Sequence, residues 1–499
     1  MKILYVNWVD YLDPEGRGGG VSLYQRNVMR ALEAMPGVEA SFLACGTSYD
    51  LFGREPRWEA MRHGPSEARD RRFDLVNSGT LAPGHASFGE ACQISHPATE
   101  AVFIDFMSRT GPYDVVHFNN LEGVPLDVLR LKEHFPATRL VVSLHNYYPF
   151  CSQVNFWQDE ARNCVDDQAG QRCVTCLPHR WNADHIKLGH GLAYRMKVMG
   201  ITPGGWLFRQ TFRVVFGLGR RLARLRGRLH RKRLALAPSE PASGLKQAGL
   251  GFVQRRAAMV AGLNRHCDLV LCVSDRVRQI ALREGVAASK AVTNYIGSVE
   301  AANFATAPDR GPILRKDGSL KLGYFGYMRR DKGFYFLLDA LEAMPDAVLA
   351  RLHLLVAARR GEPSVMRRLA ALAPRLAGYE HHDGYGHKDL DRLMVDLGVG
   401  LVPVMWEDNL PQVAIEMHAR RIPLLCSDLG GARELGNCAA FVFPAGDAAA
   451  FGHRVEAILS GRIDARDYWQ GAQVPETMGP HLEKLLAFYR GASDVSPGT

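Results

Sequence analysis

The sequence predicts an α/β protein with two doubly wound, parallel-sheet domains that face each other across a cleft. Short apolar runs alternate with segments of helical spacing up to residue 296. A break of small and polar residues at 297–318 interrupts this alternation, which then restarts. Such alternation is typical of doubly wound sheets, and a chain of 499 residues is long enough for two domains.

The N-terminal domain is predicted to span residues 1–296. Its apolar runs and helical spacings predict strands at Ile3–Trp8, Asp114–Phe118, Leu140–Leu144 and Leu269–Val273, and helices at Val21–Met35, Leu126–Phe135 and Asp275–Glu284. A glycine turn before the first helix offers the backbone N–H groups of Gly19 and Gly20 to a phosphate or an acceptor. The turn matches neither a dinucleotide fingerprint nor a phosphate-binding loop, so by itself it predicts little.

The C-terminal domain is predicted to span residues 297–477. Its patterns predict strands at Leu320–Gly326, Leu352–Ala357, Val399–Val404 and Pro423–Cys426, and helices at Phe334–Met344, Val365–Leu372, Lys388–Asp396 and Gln412–Arg420. Residues 478–499 form a last predicted helix and a tail, which we expect to return to the N-terminal domain.

The net charge of +9 is concentrated in one segment. Residues 180–235 contain fourteen Lys and Arg against one acid, within a predicted basic insertion at 180–258. Because the charge is local and no reading motif accompanies it, we expect no nucleic-acid partner. Apolar residues interleave with the charges at 206–233, which predicts either an amphipathic helix on an anionic membrane surface or a helix packed on the domain. We expect a cytoplasmic protein, peripheral on the inner face of the cell membrane.

An acidic loop precedes the helix predicted at 412–420. Asp408 stands eight residues before Glu416, and Asn409 and Leu410 lead into Pro411 at the helix start. Carboxylates can accept hydrogen bonds from ribose hydroxyls, and the free N–H groups of a helix start attract a diphosphate. The alternative is an N-capping Asp408 with Glu416 on the surface.

Two further turns belong to the same predicted domain. Arg329 and Lys332 follow its first strand, where cations would stabilise a leaving diphosphate; the alternative is a solvated basic turn. Gly430 and Gly431 form a second turn that would let the backbone approach a ligand closely. In the first domain, His145 ends a predicted strand, a position at which a lone histidine is more often structural.

These segments resemble the motifs of retaining glycosyltransferase family 4. The segment 408–416 is similar to E-N-x-P-x-V-x-x-E with Asp408 in place of Glu, and 427–435 is similar to S-D-x-G-G-x-x-E-L. The turn at 326–333 resembles G-R-L-x-x-x-K-G, in which Lys332 matches and Tyr327 replaces the Arg. His145 and His117 match two histidine positions of the family, of which His117 has the weaker, structural role.

The resemblance implies a GT-B fold and a retaining transfer from a UDP- or GDP-sugar to a glycan or lipid-linked acceptor, in surface polysaccharide or glycolipid synthesis. It implies that Glu416 binds the donor ribose, that Asp408 and His145 contact the sugar, and that Lys332, assisted by Arg329, binds the diphosphate. No catalytic cofactor is expected. The alternative is a catalytically silent GT-B module that binds a glycan or a membrane as an assembly partner.

Four cysteines cluster at 151–176 with the spacing C-x12-C-x8-C-x2-C. Cys151, Cys164, Cys173 and Cys176 suit a tetrahedral structural Zn²⁺ site without an open position for catalysis. Many enzymes of the family have a similar cysteine set at this place. The alternatives are reduced thiols without metal, or disulfides, which a reducing cytoplasm disfavours.

Overall fold

The computed structural model describes residues 1–177, 182–217 and 242–492. By their contacts, the described residues within 1–154, 166–271 and 284–292 form one compact unit, called here the first unit. The described part of the second unit contains residues 155–165, 272–283 and 293–492. In the described ranges, no helix combines the length and the apolar character that a membrane span requires.

The strands of the chain are numbered in sequence order. They are β1 (Lys2–Asn7), β2 (Glu39–Cys45), β3 (Arg57–Ala60), β4 (Arg72–Val76), β5 (Val115–Phe118), β6 (Arg139–Leu144), β7 (Trp157–Gln158), β8 (Arg162–Asn163), β9 (Leu269–Cys272), β10 (Ala291–Thr293), β11 (Leu320–Tyr327), β12 (Leu352–Arg359), β13 (Gly378–His382), β14 (Val399–Val402), β15 (Leu424–Ser427) and β16 (Val442–Phe443).

The helices are numbered in the same way. They are α1 (Gly19–Glu33), α2 (Pro97–Thr110), α3 (Leu131–His134), α4 (Gln171–Thr175), α5 (Ala183–Val198), α6 (206–217), α7 (Ala242–His266), α8 (Asp275–Arg283), α9 (Asn303–Thr306), α10 (Phe334–Glu342), α11 (Asp346–Leu349), α12 (Pro363–Leu372), α13 (Leu390–Met394), α14 (Gln412–Ala419), α15 (Ala432–Gly436), α16 (Ala448–Leu459), α17 (Ala465–Gly471) and α18 (Met478–Tyr489).

The first unit is built on an eight-stranded sheet with the order β10-β9-β6-β5-β1-β2-β4-β3. Strand β1 pairs in parallel with β2 and β5, and β5 pairs in parallel with β6, whereas the edge strand β3 is antiparallel to β4. The central strands β1, β5 and β6 are almost wholly buried, as expected for a sheet covered on both faces. The loops that follow these three strands therefore leave the sheet at the same edge.

The second unit is built on a six-stranded sheet with the order β13-β12-β11-β14-β15-β16. All of its strand pairs are parallel. The carboxyl ends of β11, β14 and β15 are consequently neighbours, and the loops 328–333, 403–411 and 428–431 start side by side. Ligands of open parallel sheets bind at this edge.

The predicted fold class is confirmed, because both sheets are doubly wound and nearly all of their strands are parallel. Most predicted strands and helices lie within two residues of the observed ends. The helix predicted at Leu126–Phe135 is instead a 3₁₀ turn, Leu126–Arg130, followed by the short helix α3. Helix α18 lies in the second unit, where residue 298 pairs with residue 477 just before the helix begins.

Candidate active site

Lys332 and Asp408 form an ion pair between the loops that follow β11 and β14. Lys332 Nζ lies 2.5 Å from Asp408 Oδ2 and 5.0 Å from the centre of the Trp406 ring. The turn that carries Lys332 is packed tightly, because a Cβ on the next residue, Gly333, would lie 1.6 Å from the Pro403 carbonyl oxygen. Gly333 also has a φ of +75°, which favours glycine. The structure therefore brings together two of the residues that the sequence predicted.

The backbone of the acidic loop is held by the glycine pair. The Gly431 N–H donates to the Asp408 carbonyl oxygen at 2.9 Å. A Cβ on Gly430 would lie 2.1 Å from the same oxygen, and a Cβ on Gly431 would lie 2.2 Å from the Asn409 carbonyl oxygen. No larger residue fits at either position without moving the loop. Gly430 and Gly431 thus position Asp408 and Asn409 through backbone contacts.

Two residues of the α8 region hold the acidic loop from another direction. Ser274 Oγ donates to the Asn409 carbonyl oxygen at 2.8 Å. Arg276 Nε donates to Glu407 Oε2 at 2.9 Å, and the same carboxylate oxygen accepts the Gly430 N–H at 3.0 Å. Glu407 is therefore engaged in fixing the loop, whereas the neighbouring Asp408 carboxylate faces Lys332.

Glu434 completes this support by capping helix α8. Its two carboxylate oxygens accept the backbone N–H groups of Asp275 and Arg276 at 2.9 and 2.7 Å. The Tyr295 hydroxyl donates to the same carboxylate at 2.7 Å. Burial raises the pKa of Glu434 above its ordinary value in spite of these hydrogen bonds. A carboxylate at a helix start is favoured by the helix dipole and by the free N–H groups.

Glu416 lies in the second turn of α14 and is almost fully buried. Its Oε1 lies 3.3 Å from His387 Nε2, a half-exposed ring that follows β13. Burial, and then the charge of Glu416, raise the pKa of the nearby Tyr385 hydroxyl. Leu410, close to the helix start, is buried as well. A buried carboxylate beside the first turn of a helix can accept hydrogen bonds from ligand hydroxyls while the helix start faces an anion.

Arg329 is engaged with a carboxylate of its own turn. Its Nε and Nη2 donate to the two oxygens of Asp331 at 2.9 and 2.8 Å, while most of its side chain is exposed. Tyr327 is also exposed, and the end of its strand is fixed by the Tyr324 hydroxyl, which donates to the Tyr327 carbonyl oxygen at 2.6 Å. The predicted role of Arg329 toward a diphosphate stays a prediction.

The candidate residues of the first unit lie together at the carboxyl edge of its sheet. Gly19 and Gly20 begin helix α1, which follows β1, and His145 directly follows β6. The rings of His145 and of Tyr24, in the second turn of α1, have their centres 5.0 Å apart. His117 lies inside β5, where its Nε2 is 2.7 Å from Ser143 Oγ. His117 is therefore a buried residue of the sheet.

Three supporting residues of the second unit were not predicted as functional. Arg276, Ser274 and His387 contact the acidic loop or Glu416 from positions 29 to 135 residues away in the chain. Glu434 was visible only as a matching position of the glycine-loop motif, without a role. A strand end followed by Ser-Asp, as at Ser274, is the one signal that could have indicated a residue of this kind.

The four cysteines of the 151–176 loop are not joined to one another by disulfides. No disulfide joins any of the ten cysteines, all of which lie in the described ranges. Burial, followed by the charges of Asp167, Cys151 and Cys176, raises the pKa of Cys173 to about 12. Cys176 Sγ donates to Gln153 Oε1 at 2.9 Å. Within residues 1–177, 182–217 and 242–492, no group of three or more His, Cys, Asp or Glu side chains is arranged to hold a metal. The zinc site stays a prediction.

Comparisons with known proteins agree with this architecture. Residues 319–461 match the family model described as glycosyl transferases group 1. No curated protein matches the chain. Among solved structures, Anabaena Alr3699/HepE in complex with UDP is 14% identical with a TM-score of 0.55, over 99% of this chain and 100% of that one.

Two further solved structures are similar over nearly the whole chain. Sucrose-phosphate synthase from Thermosynechococcus elongatus is 15% identical with a TM-score of 0.51, over 98% of each chain. The E. coli trehalose-6-phosphate structure bound with UDP-2-fluoro glucose is 11% identical with a TM-score of 0.53, over 99% of each chain. At these identities the likenesses establish the fold, which is GT-B.

Proposed function

We propose that this protein, a GT-B glycosyltransferase, moves a hexosyl group from a UDP- or GDP-sugar to a glycan or lipid-linked acceptor, with retention at the anomeric carbon. The observation that carries the proposal is the Lys332–Asp408 pair at the carboxyl edge of a parallel sheet, in which Asp408 belongs to the loop that leads into the helix of the buried Glu416. The match of this unit to group 1 glycosyl transferases supports it. UDP in the HepE complex favours uridine among the two bases.

The donor is proposed to lie along the loops of the second unit. Glu416 accepts hydrogen bonds from the ribose hydroxyls, which replace its contact with His387. The start of α14, near Asn409 and Leu410, faces the diphosphate. Lys332 stabilises the charge that develops on the diphosphate as the bond to the sugar breaks. Asp408, held against Lys332, contacts the hydroxyls of the sugar.

Retention is proposed to proceed without a covalent enzyme intermediate. The bond between the anomeric carbon and the diphosphate oxygen breaks as the acceptor oxygen forms its bond on the same face of the sugar. The acceptor proton passes to the departing diphosphate, so no protein base is required. His145 of the first unit contacts the transferred sugar, and Gly19 and Gly20 contact the acceptor or the diphosphate.

We also propose that the protein binds a membrane surface through the tip of a helical hairpin in the first unit. Phe208 of α6 packs against Ala193 and Met196 of α5, which leaves the connecting turn at the tip. Met199, Trp206 and Leu207 at this tip are 65%, 71% and 51% exposed. Exposed arginines flank them on both helices, at 195 and 209. Residues 218–233 of the predicted membrane segment lie outside the described residues.

An apolar tip flanked by arginines suits an anionic bilayer, because apolar side chains enter the acyl boundary while the cations face lipid phosphates. We expect the protein to sediment with vesicles of phosphatidylglycerol and phosphatidylcholine. Replacing Trp206 and Leu207 together by Ser should weaken this binding at least about tenfold. The control is Val474→Ser, an equally exposed apolar residue of the second unit. Unchanged binding of the double variant would remove the tip from the membrane contact.

The activity is tested by following the release of nucleotide from a panel of UDP-, GDP- and ADP-sugars. Lys332→Ala should lower kcat/KM by about 10²- to 10³-fold, since a cation facing the leaving group is lost. Lys316→Ala, an exposed lysine of the same unit, is the matched control. If the wild-type protein turned over none of these donors and none of them changed its melting temperature, the assignment as an enzyme would be contradicted.

Retention is tested separately by NMR of the product. An α-linked donor should give an α-linked product. A β-linked product would refute retention and leave the glycosyltransferase assignment intact.

A further inference from the structure

Glu122 is a buried carboxylate at the carboxyl edge of the first sheet, in the loop that follows β5. Only 3% of the residue is exposed. One carboxylate oxygen, Oε1, accepts from Asn146 Nδ2 at 2.5 Å, and the other, Oε2, accepts the backbone N–H of Gly84. Its own N–H donates to Asn120 Oδ1 at 3.0 Å. Glu122 therefore connects the loop after β5 with the turn after β6 and with the turn at residue 84.

The contact with Asn146 bears directly on His145, its neighbour in the chain. The Asn146 amide is used at both ends, because its Oδ1 accepts the Tyr148 N–H at 3.0 Å while its Nδ2 donates to Glu122. This arrangement fixes the first turn after β6. The His145 ring, presented by that turn, lies against Tyr24 of α1, the helix that begins with the glycine turn.

A second set of buried polar contacts closes the same group of loops. Arg255 of α7 donates to the Tyr148 carbonyl oxygen at 2.8 Å and to Gln93 Oε1. Gln93 Nε2 donates to the Gly84 carbonyl oxygen at 3.0 Å. Both of these side chains are at least nine-tenths buried. Glu122 thus belongs to a continuous hydrogen-bond network in which a local change alters the turn that presents His145.

Stability alone does not explain the presence of this carboxylate. Burial raises the pKa of Glu122 to about 7, although the two hydrogen bonds and the positive charge of Arg255 act in the opposite direction. A carboxyl group with a raised pKa in the folded state destabilises the fold once the pH exceeds its unfolded pKa, so Glu122 costs stability at neutral pH. Buried charges that do not stabilise a fold are candidates for a positional role.

We infer that Glu122 is a positioning residue for sugar transfer, whose carboxylate holds Asn146 and thereby the turn that carries His145. This inference rests on the proposed function. Glu122 does not contact the reacting atoms in this arrangement. It acts through Asn146. The Asn146 amide and the Gly84 N–H donate to different carboxylate oxygens of Glu122, and both hydrogen bonds are needed to keep the loops in position.

Glu122→Gln tests the inference, because a glutamine has one acceptor oxygen for two donors. With the sugar nucleotide that the wild-type protein hydrolyses, kcat should fall about 10- to 100-fold, the size of effect expected from a small misplacement of a contacting group. The affinity for UDP, measured by calorimetry, should change less than about twofold, since the nucleotide contacts lie in the second unit. A variant that keeps the wild-type kcat, or loses UDP affinity in parallel with kcat, overturns the inference.

Asp268→Asn is the matched control. Asp268 Oδ2 accepts from Lys132 Nζ at 2.8 Å and from the Leu140 N–H at 2.7 Å, so it supports the start of β6 rather than its end. This variant should keep kcat within about twofold of the wild-type value. An equal loss of kcat in the control would show a general effect of destabilisation and would overturn the positional role.

Asn146→Ala approaches the same contact from its other side and covers the case in which Glu122→Gln does not fold. Its kcat should fall about as far as that of Glu122→Gln, and the double variant should lose no more than either single one. Additive losses overturn the inference. If the wild-type protein turns over no sugar nucleotide, the proposed function and the inference fall together, whereas wild-type turnover that is insensitive to Glu122 overturns the inference alone.

Discussion

Gly430→Ala should show how much activity depends on the position of the acidic loop, apart from any effect of lost stability. Gly430 has a φ of +71°, and a Cβ built on it would lie 2.1 Å from the Asp408 carbonyl oxygen. Real Cβ atoms essentially never approach another heavy atom within 3.0 Å, so the carbonyl group must move by about 0.9 Å. That movement disturbs the hydrogen bond from the Gly431 N–H and the pairing of Asp408 with Lys332.

The chain offers a matched control for the backbone cost. Gly461 has a φ of +73°, and a Cβ on it would meet no atom within 4 Å. An alanine in the left-handed region costs about 1–2 kcal/mol, which both variants share. Forcing the extra atom into packed surroundings costs Gly430→Ala a further ~1–3 kcal/mol. Its free energy of unfolding should therefore fall to a value below that of Gly461→Ala.

The activities of the two variants should differ far more than their stabilities. Displacing a contacting group by about 1 Å can lower a rate about 10²-fold, so we expect Gly430→Ala to lose roughly that factor in kcat/KM. Gly461→Ala should keep the wild-type value. Steady-state nucleotide release and urea denaturation measure the two quantities. Full activity in Gly430→Ala would refute the idea that this backbone contact positions Asp408.

Three further predictions concern other parts of the chain. Glu434→Gln, which leaves one acceptor oxygen for the two N–H groups at the start of α8, should lower the free energy of unfolding by about 1 kcal/mol in urea denaturation; an unchanged value would exclude the capping role. Burial lowers the pKa of His418 to about 4, so the unfolded chain binds a proton between about pH 6.5 and 4 while the fold does not. The free energy of unfolding should therefore fall by about 2 kcal/mol between pH 7 and pH 5 through this group. His418→Gln should remove this part of the pH dependence, and an unchanged dependence in the variant would contradict the lowered pKa. Purified protein should contain about one zinc by metal analysis, and Cys173→Ser with Cys176→Ser should remove it; zinc well below one equivalent in the wild type would contradict the predicted site.

The elements that the sequence predicted well are those whose apolar pattern reflects burial on both faces. Strands β11 and β14 are such cases, because their residues are buried along nearly their whole lengths. Strand β13 was missed, since Gly378–His382 is a polar edge strand without a buried pattern. The apolar spacing at Leu126–Phe135 predicted an α-helix. The period of a 3₁₀ turn is so close to that of an α-helix that this spacing does not distinguish the two.

The residues that we propose for the donor site could be selected from the sequence because they lie within short, spaced segments. Asp408 and Glu416 share one such segment, and Lys332 ends another. The residues that hold these segments could not be predicted, since Ser274 and Arg276 lie more than 130 residues before their partners in the chain. Glu122 gave no signal either, because a carboxylate in a loop is ordinarily exposed and only the packing of three loops buries it.

The two departures from the motifs that this sequence resembles have different consequences in the structure. The shorter side chain of Asp408 is compatible with the site, because hydrogen bonds from the Gly431 N–H and the Ser274 hydroxyl to backbone carbonyls locate the loop, and the carboxylate still reaches Lys332. The exchange at Tyr327 removes a cation, and Arg329 is already paired with the carboxylate next to it. We therefore expect the diphosphate of a bound donor to be stabilised chiefly by Lys332 and the start of α14. Donor turnover should then depend more steeply on Lys332 than in a site where two cations face the diphosphate.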